Sequence, residues 1–456
     1  MSGDLLLAVS PGEIWAARVE RERLVELRVA REGGARVGAI FLGRVVALKP
    51  DLPAALVEIG AARPAFLSAD DEADLAGLTE GKSVLVQVTK EARADKAAGV
   101  SRRIRFAGAL VDFVPGGRIE AARGLAAAER ARLGAAVEDL AEAGEGVHIR
   151  AEAKGAEKAA LAADLAALRA RWRAIAARKD APPPAAIDPE TGLLTELLGS
   201  LLAPPLERIV IDDRAAYATA RGWLARQHPE LADALELYAG TEPLFEHEGV
   251  GADIATALAP RVELPGGGAI IIEPTSAATL IDVDSGGAPA LAANLAAARE
   301  AARQIRIRNI AGPIVIDFIG VKGPARARIL SELRAALARD PQKPDLLGWT
   351  RLGHVEVVRK RRHPALDEIL FERAGGGGRV KTALTVALAA LAALARAARA
   401  EPHRALALRA APEVAAALAE GPARAPRLAL EARLGRAIAV APDPRLAREG
   451  FDIGPV

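Results

Sequence analysis

Two Ile/Val-rich runs that end in carboxylates constrain this chain more than any other feature. Residues 269–284 read AIIIEPTSAATLIDVD, and residues 312–319 read GPIVIDFI. Both are apolar strands by composition and length. Asp282 and Asp284 stand two apart in an extended run, so their side chains leave the same face of the strand. Asp317 interrupts an otherwise continuous Ile/Val run. A single aspartate at a strand end is ordinarily a turn or cap residue. A carboxylate inside a buried strand is costly unless a cation or strong hydrogen bonds compensate it, and three at strand ends point to a hard-metal site of the magnesium kind.

The surroundings suggest what such a metal acts on. Arg303, Arg306 and Arg308 precede the Asp317 run, and Lys343, Arg351, Arg359, Lys360, Arg361 and Arg362 follow it. Phosphates are the natural partners of a basic cluster beside a carboxylate-held metal. The whole-chain balance of 61 basic and 59 acidic residues, net +2, says nothing about nucleic acid, so that reading rests on local clusters. With 456 residues the chain has room for about three domains and a substantial core. Aromatics are only 3% of it, so Ala, Leu and Val do most of the packing.

The Leu264–Ala288 stretch LPGGGAIIIEPTSAATLIDVDSGGA and the Arg303–Phe318 stretch RQIRIRNIAGPIVIDF are long, ungapped motifs. Both resemble the segments that carry the metal-binding aspartates of the ribonuclease E/G endoribonucleases. Weaker similarity runs through nearly the whole chain, including LYAGTEPLFE at 237–246 and LGHVEVVRKRR at 352–362. The resemblance implies an α+β multidomain fold. A ribonuclease H-like domain (1–36 and 190–262) would be interrupted by an OB-fold RNA-binding barrel (37–102) and a 5′-sensor-like region (103–189). A deoxyribonuclease I-like catalytic domain (263–374) and a small C-terminal αβ domain (379–456) would follow.

The residue pattern supplies the local reading beside it. EIWAARVE and RLVELRVA alternate as strands, and AIFLGRVVAL, AALVEIG, ARPAFLS and SVLVQVTKE are short strands separated by Gly, Pro and Asp turns, a spacing suited to a small barrel. Residues 103–180 read as mostly helical, with Leu161, Leu165, Leu168, Trp172 and Ile175 on one apolar stripe that is core rather than site. A Pro-rich linker at 180–189 leads to a helical segment near 190–202 and the strand ERIVIDD, and Gly375–Gly378 marks a boundary before a long Ala/Leu helix. Gly81, Lys82 and Ser83 mimic the end of a phosphate-binding loop. Ala76 stands where its first Gly belongs, however, and a strand rather than a helix follows, which excludes an NTPase.

The resemblance also implies a chemistry: Mg2+-dependent (or Mn2+-dependent) endonucleolytic cleavage of single-stranded RNA, in RNA processing or decay. Asp282 and Asp317 are the expected metal ligands. Asp284, grouped with them as catalytic, stands where the family has an Asn that orients water. Phe66 is the expected base-stacking residue of the barrel and Lys96 its phosphate contact, while Leu56 replaces a second aromatic. From the residues alone, Phe66 serves equally as a barrel-core aromatic. The family's 5′-phosphate pocket maps to Gly108, Arg150 and Lys343. There Ala151 replaces the Thr that follows the first Arg, Lys343 replaces a second Arg, and Asp112 replaces an apolar residue, so weakened 5′-monophosphate sensing is expected. A non-catalytic RNA-binding protein on the same scaffold and a nuclease acting on DNA remain alternatives.

The chain has no cysteine, so disulfides and thiolate zinc sites are excluded. The family's Cys-x-x-Cys zinc element is replaced by AGGGG at 374–378, so no structural zinc is expected and a homo-oligomer would form without a zinc link. The first residues lack a signal-peptide pattern, and the apolar stretch Thr382–Ala395 is too short and Ala-rich to span a bilayer, so a cytoplasmic protein without a membrane partner is expected. The resemblance implies a short form without a long disordered C-terminal tail. The histidines at 148, 228, 247, 354, 363 and 403 show no metal-ligand spacing and read as structural or surface residues.

Overall fold

The computed structural model describes residues 3–455 except 34, 50–51, 62, 69–74, 93–95, 189–191, 203–205 and 375–377, so the Gly375–Gly378 boundary lies, apart from Gly378, outside the described residues. The chain divides into two compact units, Gly33–Gly192 and a second made of Met1–Glu32 with Leu193–Val456.

In the first unit, strands Ile40–Lys49, Ala54–Glu58, Ala65–Ser68, Gly99–Ser101 and Ser83–Lys90 pair in that order, and the last returns to the first to close a barrel. Alternation decides what fills it. Val45, Ala55, Val57, Ala65, Leu67, Val84, Val86, Val88 and Val100 point inward and are buried. Gly43 is needed where strands approach closely, because a Cβ there would run into Val57. A four-stranded sheet follows, ordered Ile119–Ala121, Glu145–Ile149, Val111–Pro115, Phe106–Ala107, and helices Ala127–Glu138 and Lys158–Ala176 share its core. This corrects the expectation that 103–180 is mostly helical. The strands there are two to five residues long, too short to show a period, and apart from the local pair Phe106–Ala107 with Val111–Pro115 their partners lie far away in sequence. The stripe on Lys158–Ala176 is core: Leu161, Leu165, Leu168 and Ile175 are buried, and Trp172 packs on Phe106 with ring centres 6.2 Å apart. Each fully buried Leu contributes roughly 1.5–3 kcal/mol.

In the second unit, Gly3–Ser10 pairs in parallel with Arg208–Ile211, Leu6 opposite Val210, so the two stretches either side of the first unit make one five-stranded sheet. A six-stranded sheet follows, ordered Arg261–Glu263, Ala269–Pro274, Thr279–Asp284, Gly312–Asp317, Val355–Arg359, Asp345–Trp349. Helices Ala290–Ile307 and Pro324–Leu337 bury one of its faces, through Ala297, Ala301, Ile305, Ile329 and Leu333 packed on Ile270, Ile281, Ile314, Ile316 and Val357. The opposite face carries Leu280, Asp282, Asp284 and Asp317, all exposed. Helix Ala383–Ala400 is 18 residues long and, by length and composition, apolar enough to cross a membrane, longer than the stretch read from sequence. Val386, Leu391 and Leu394 on it pack instead on Leu408, Val414 and Leu418 of the C-terminal αβ region, which accounts for its apolar face.

Buried polar contacts fix the six-stranded sheet. Asn294, fully buried, donates to the Ile319 carbonyl at 2.8 Å and accepts the Ile319 amide at 3.0 Å, clamping the first helix to the end of the Asp317 strand. At the other end of that strand, Arg359 pairs with Asp340 at 2.7 Å and donates to Asn309 Oδ1 at 2.8 Å. Arg306 pairs with Glu26 at 3.1 Å, Arg303 bonds Glu300 and the Leu24 carbonyl, and Arg308 donates to Gln304 at 2.7 Å. Burial pushes the Arg308 guanidinium down to about 10. These four arginines are therefore structural, which corrects the expectation that they face phosphate: a guanidinium can enter a packed interior only when such partners replace its water. Arg361 is likewise held by Glu368 and the Ala311 carbonyl, whereas Lys343, Arg351, Lys360 and Arg362 are exposed.

Arg359→Leu is expected to cost about 3–5 kcal/mol in urea unfolding, because Asp340 is left charged and buried without its partner. The double change with Asp340→Leu should cost less than the single one. Equal losses would show that the pair is not what holds this end of the strand.

Candidate functional site

The site is built by strand register. Thr279–Asp284 and Gly312–Asp317 run parallel, with Ile281 opposite Ile316 and Asp282 opposite Asp317. Register partners leave the same face, and adjacent strands lie roughly 4.8 Å apart, so the two carboxylates can share one ion. Asp284 follows two residues on, past the end of the Asp317 strand, with Oδ1 accepting the Gly286 amide at 3.0 Å and Oδ2 accepting Arg261 Nη1 at 3.4 Å. The Gly286 amide, helped by Arg261, holds the Asp284 carboxyl below the usual carboxylate range. Sequence spacing thus brings all three aspartates to one face, but register separates an adjacent pair from an outlier whose oxygens are both engaged.

Among the described residues no three of His, Cys, Asp and Glu gather as a closed metal cage. Two solvent-facing carboxylates suit Mg2+, which keeps several waters and takes few protein oxygens, better than an ion that needs a complete protein shell. His354 was missed by spacing. Its Nε2 lies 3.8 Å from Asp317 Oδ1, and its backbone is tied to Thr350. The signal was register rather than motif: Val355 pairs with Ile316, so the residue before it falls beside Asp317.

On the barrel, Phe66 pairs across the sheet with Leu56 and Gly99, while its neighbours Ala65 and Leu67 point into the core. Phe66 is therefore a half-buried residue of the outer face, which excludes the core-aromatic reading. Its amide donates to the Ala98 carbonyl at 2.7 Å, and Lys96, exposed, sits in the bend just before that residue. The two expected contacts occupy one patch of the barrel, with Leu56 beside them as an apolar but non-aromatic neighbour.

The residues expected to form a 5′-phosphate pocket are engaged within the chain itself. Arg150 Nη1 donates to the Gly108 carbonyl at 2.7 Å and lies 3.9 Å from Asp112 Oδ1, and its Nε reaches Glu152 at 3.3 Å. Asp112 is buried; Arg105 Nε donates to its Oδ2 at 3.0 Å, while Oδ1 has no hydrogen-bond partner among the described residues. Asp164 accepts the amides of Ala109, Leu110 and Val111 at 3.2, 2.7 and 2.9 Å, so a carboxylate already occupies that row of donors. Ala151 offers no hydroxyl. Lys343 belongs to the other unit, in a turn with φ +47°.

Residues 106–362 match the model of the Ribonuclease E/G family. The chain is 33% identical over 425 residues to ribonuclease G of Haemophilus influenzae, covering 84% of this chain and 85% of that protein. Identity to ribonuclease G of Escherichia coli K12 is 32% over 425 residues, 85% of this chain and 86% of the relative. Identity to ribonuclease E of Nostoc sp. is 34% over 381 residues, 78% of this chain and 55% of the relative.

Asp164→Ala leaves three backbone amides without their acceptor and is expected to lower stability by about 1–3 kcal/mol in urea unfolding. A change within a few tenths of a kcal/mol would show that water replaces the carboxylate at no cost and that the loop is not held by it.

Proposed function

The chain belongs to the ribonuclease E/G family and is an endoribonuclease of that family, and from this premise we propose that it cleaves single-stranded RNA with a Mg2+ ion held by Asp282 and Asp317. Mn2+ fits the same donors. The observation that carries the reading is the register pairing of the two aspartates on the uncovered face of the six-stranded sheet. The ion, when bound, activates a water and offsets the charge that builds on the phosphate in the transition state. The chain's own residues set the stage. The strand pairing fixes the two carboxylates before any ligand arrives, so little reorganisation is needed at the moment of reaction. His354, tethered through Thr350, stands beside Asp317 and limits how that carboxylate turns. Asp284 is assigned no ligand position. Phe66 offers a face on which an unpaired base stacks, and Lys96 neutralises a neighbouring phosphate.

The test is cleavage of a fluorescent single-stranded RNA with and without Mg2+. Asp282→Asn and Asp317→Asn are expected to lower turnover at least about a hundredfold, the scale on which loss of transition-state charge stabilisation acts, while RNA binding stays nearly intact. Wild-type-like turnover in either variant overturns the assignment. A wild-type chain that binds the RNA and never cleaves it would be an RNA-binding protein on this scaffold.

The second part of the proposal is weak discrimination of the RNA 5′ end. Arg150 already donates to the Gly108 carbonyl and to Glu152, the buried Asp112 carboxyl lies 3.9 Å from it, and Asp164 takes the nearby amides. Each charge-assisted hydrogen bond denied to the phosphate costs about 1.5–3 kcal/mol of recognition. Cleavage rates of one RNA carrying a 5′-monophosphate or a 5′-hydroxyl should differ by less than about tenfold, and a larger preference, above about 1.4 kcal/mol, would show a working pocket.

A further inference from the structure

We propose that Arg261 is the RNA-phosphate contact beside the metal-holding pair, and that Asp284 and Glu263 position its guanidinium instead of completing the metal site. The inference rests on the assignment of Asp282 and Asp317 as the ion's ligands. Register supplies its geometry. Arg261 is opposite Ile271, Ile271 opposite Asp282, and Asp282 opposite Asp317, so one row across four strands carries a cation at the sheet edge and the two carboxylates further in. The next row carries Glu263, Ala269 and Asp284. All these polar side chains leave the face that the helices do not cover, whereas Val262 between Arg261 and Glu263 is buried.

The guanidinium is held from two sides. Its Nε donates to Glu263 Oε1 at 2.8 Å and its Nη1 to Asp284 Oδ2 at 3.4 Å, which leaves the two N–H groups of Nη2 without an acceptor among the described residues. A guanidinium fixed in this way loses little freedom when it meets a phosphate, and its fork suits a phosphodiester oxygen. It is also open to solvent, with 47% of its side-chain surface exposed. A cleft of about 590 Å³ borders Arg261 at the sheet edge, but Asp253, Glu263 and Glu300 line it as well as Arg23 and Arg303, so it is not itself the phosphate site.

Charge explains why the pair exists. Two carboxylates serve a Mg2+ ion; a third bare one on the same face would repel the RNA backbone. Arg261 offsets part of the negative charge that Asp284 and Glu263 bring to this face. The occupant of the site is the phosphodiester flanking the scissile one.

Steady-state cleavage of a short fluorescein-labelled single-stranded RNA, together with anisotropy of the same RNA in the absence of divalent ions, separates the outcomes. Arg261→Ala should raise KM and Kd about tenfold, equal to about 1.4 kcal/mol, and flatten the salt dependence by about the 0.7 expected for one lost phosphate contact on a single strand. Arg261→Lys should recover part of the affinity and the whole salt slope, because the charge returns without the fork. The Mg2+ concentration for half-maximal rate should stay within a few-fold of wild type in Arg261→Ala and in Asp284→Asn. A tenfold rise in that concentration for Asp284→Asn makes Asp284 a ligand and overturns the proposal. So does wild-type affinity and salt slope in Arg261→Ala. If the wild-type chain does not cleave at all, the metal-site reading fails, while the anisotropy arm still decides the role of Arg261.

Discussion

The parallel, in-register pairing of the Thr279–Asp284 and Gly312–Asp317 strands is the constraint on which the candidate site depends. Side chains alternate with a period of two, so a slip of one residue in either strand would send its carboxylate into the helix-packed core and its isoleucines into water. The apolar alternation of Ile281 and Val283 against Ile314 and Ile316 makes that slip costly. Parallel strands need a crossover, here helix Ala290–Ile307, and the helix is locked to the end of the second strand by the two-point contact of Asn294 with Ile319. Arg359, Asp340 and Asn309 lock the opposite end. Both ends of the Asp317 strand are therefore fixed by buried hydrogen bonds, and the carboxylate that emerges from it inherits their precision.

A chain with nearly balanced charge spends many of its arginines internally. Arg303, Arg306, Arg308 and Arg359 each replace lost water with carboxylate, amide or carbonyl partners inside the fold. The same economy appears in the first unit, where Arg105 and Arg150 serve Asp112. Cations that stay exposed include Arg261 at the sheet edge, Lys96 beside Phe66, and Lys343, Arg351, Lys360 and Arg362.

The parts of this architecture that were readable in the sequence share one physical cause. Strands with a clear period of two, such as TLIDVD and the barrel strands, declare which residues face the core, and the aspartates stood out as charges in apolar runs, although the fold exposes them instead of burying them. The Leu161–Ile175 stripe was legible for the same reason at helical spacing. The strands at 106–149 were not, because each is short and the pairings of Glu145–Ile149 with Val111–Pro115 and Ile119–Ala121 are remote in sequence. Nor was the fate of the arginines, since composition cannot tell a guanidinium that pairs with Glu26 across the fold from one that waits for phosphate. His354 and Arg261 escaped notice because only cross-strand register brings them to the aspartates.

The central claim is that Asp282 and Asp317, and not Asp284, hold the ion. Anomalous diffraction from crystals grown with Mn2+ and a non-cleavable single-stranded RNA reads this directly. The account predicts a peak at about 2.0–2.6 Å from an oxygen of each of Asp282 and Asp317, with Asp284 still turned to Arg261 and the Gly286 amide. A peak ligated by Asp284, or a metal bound elsewhere with Asp282 and Asp317 unligated, would contradict it.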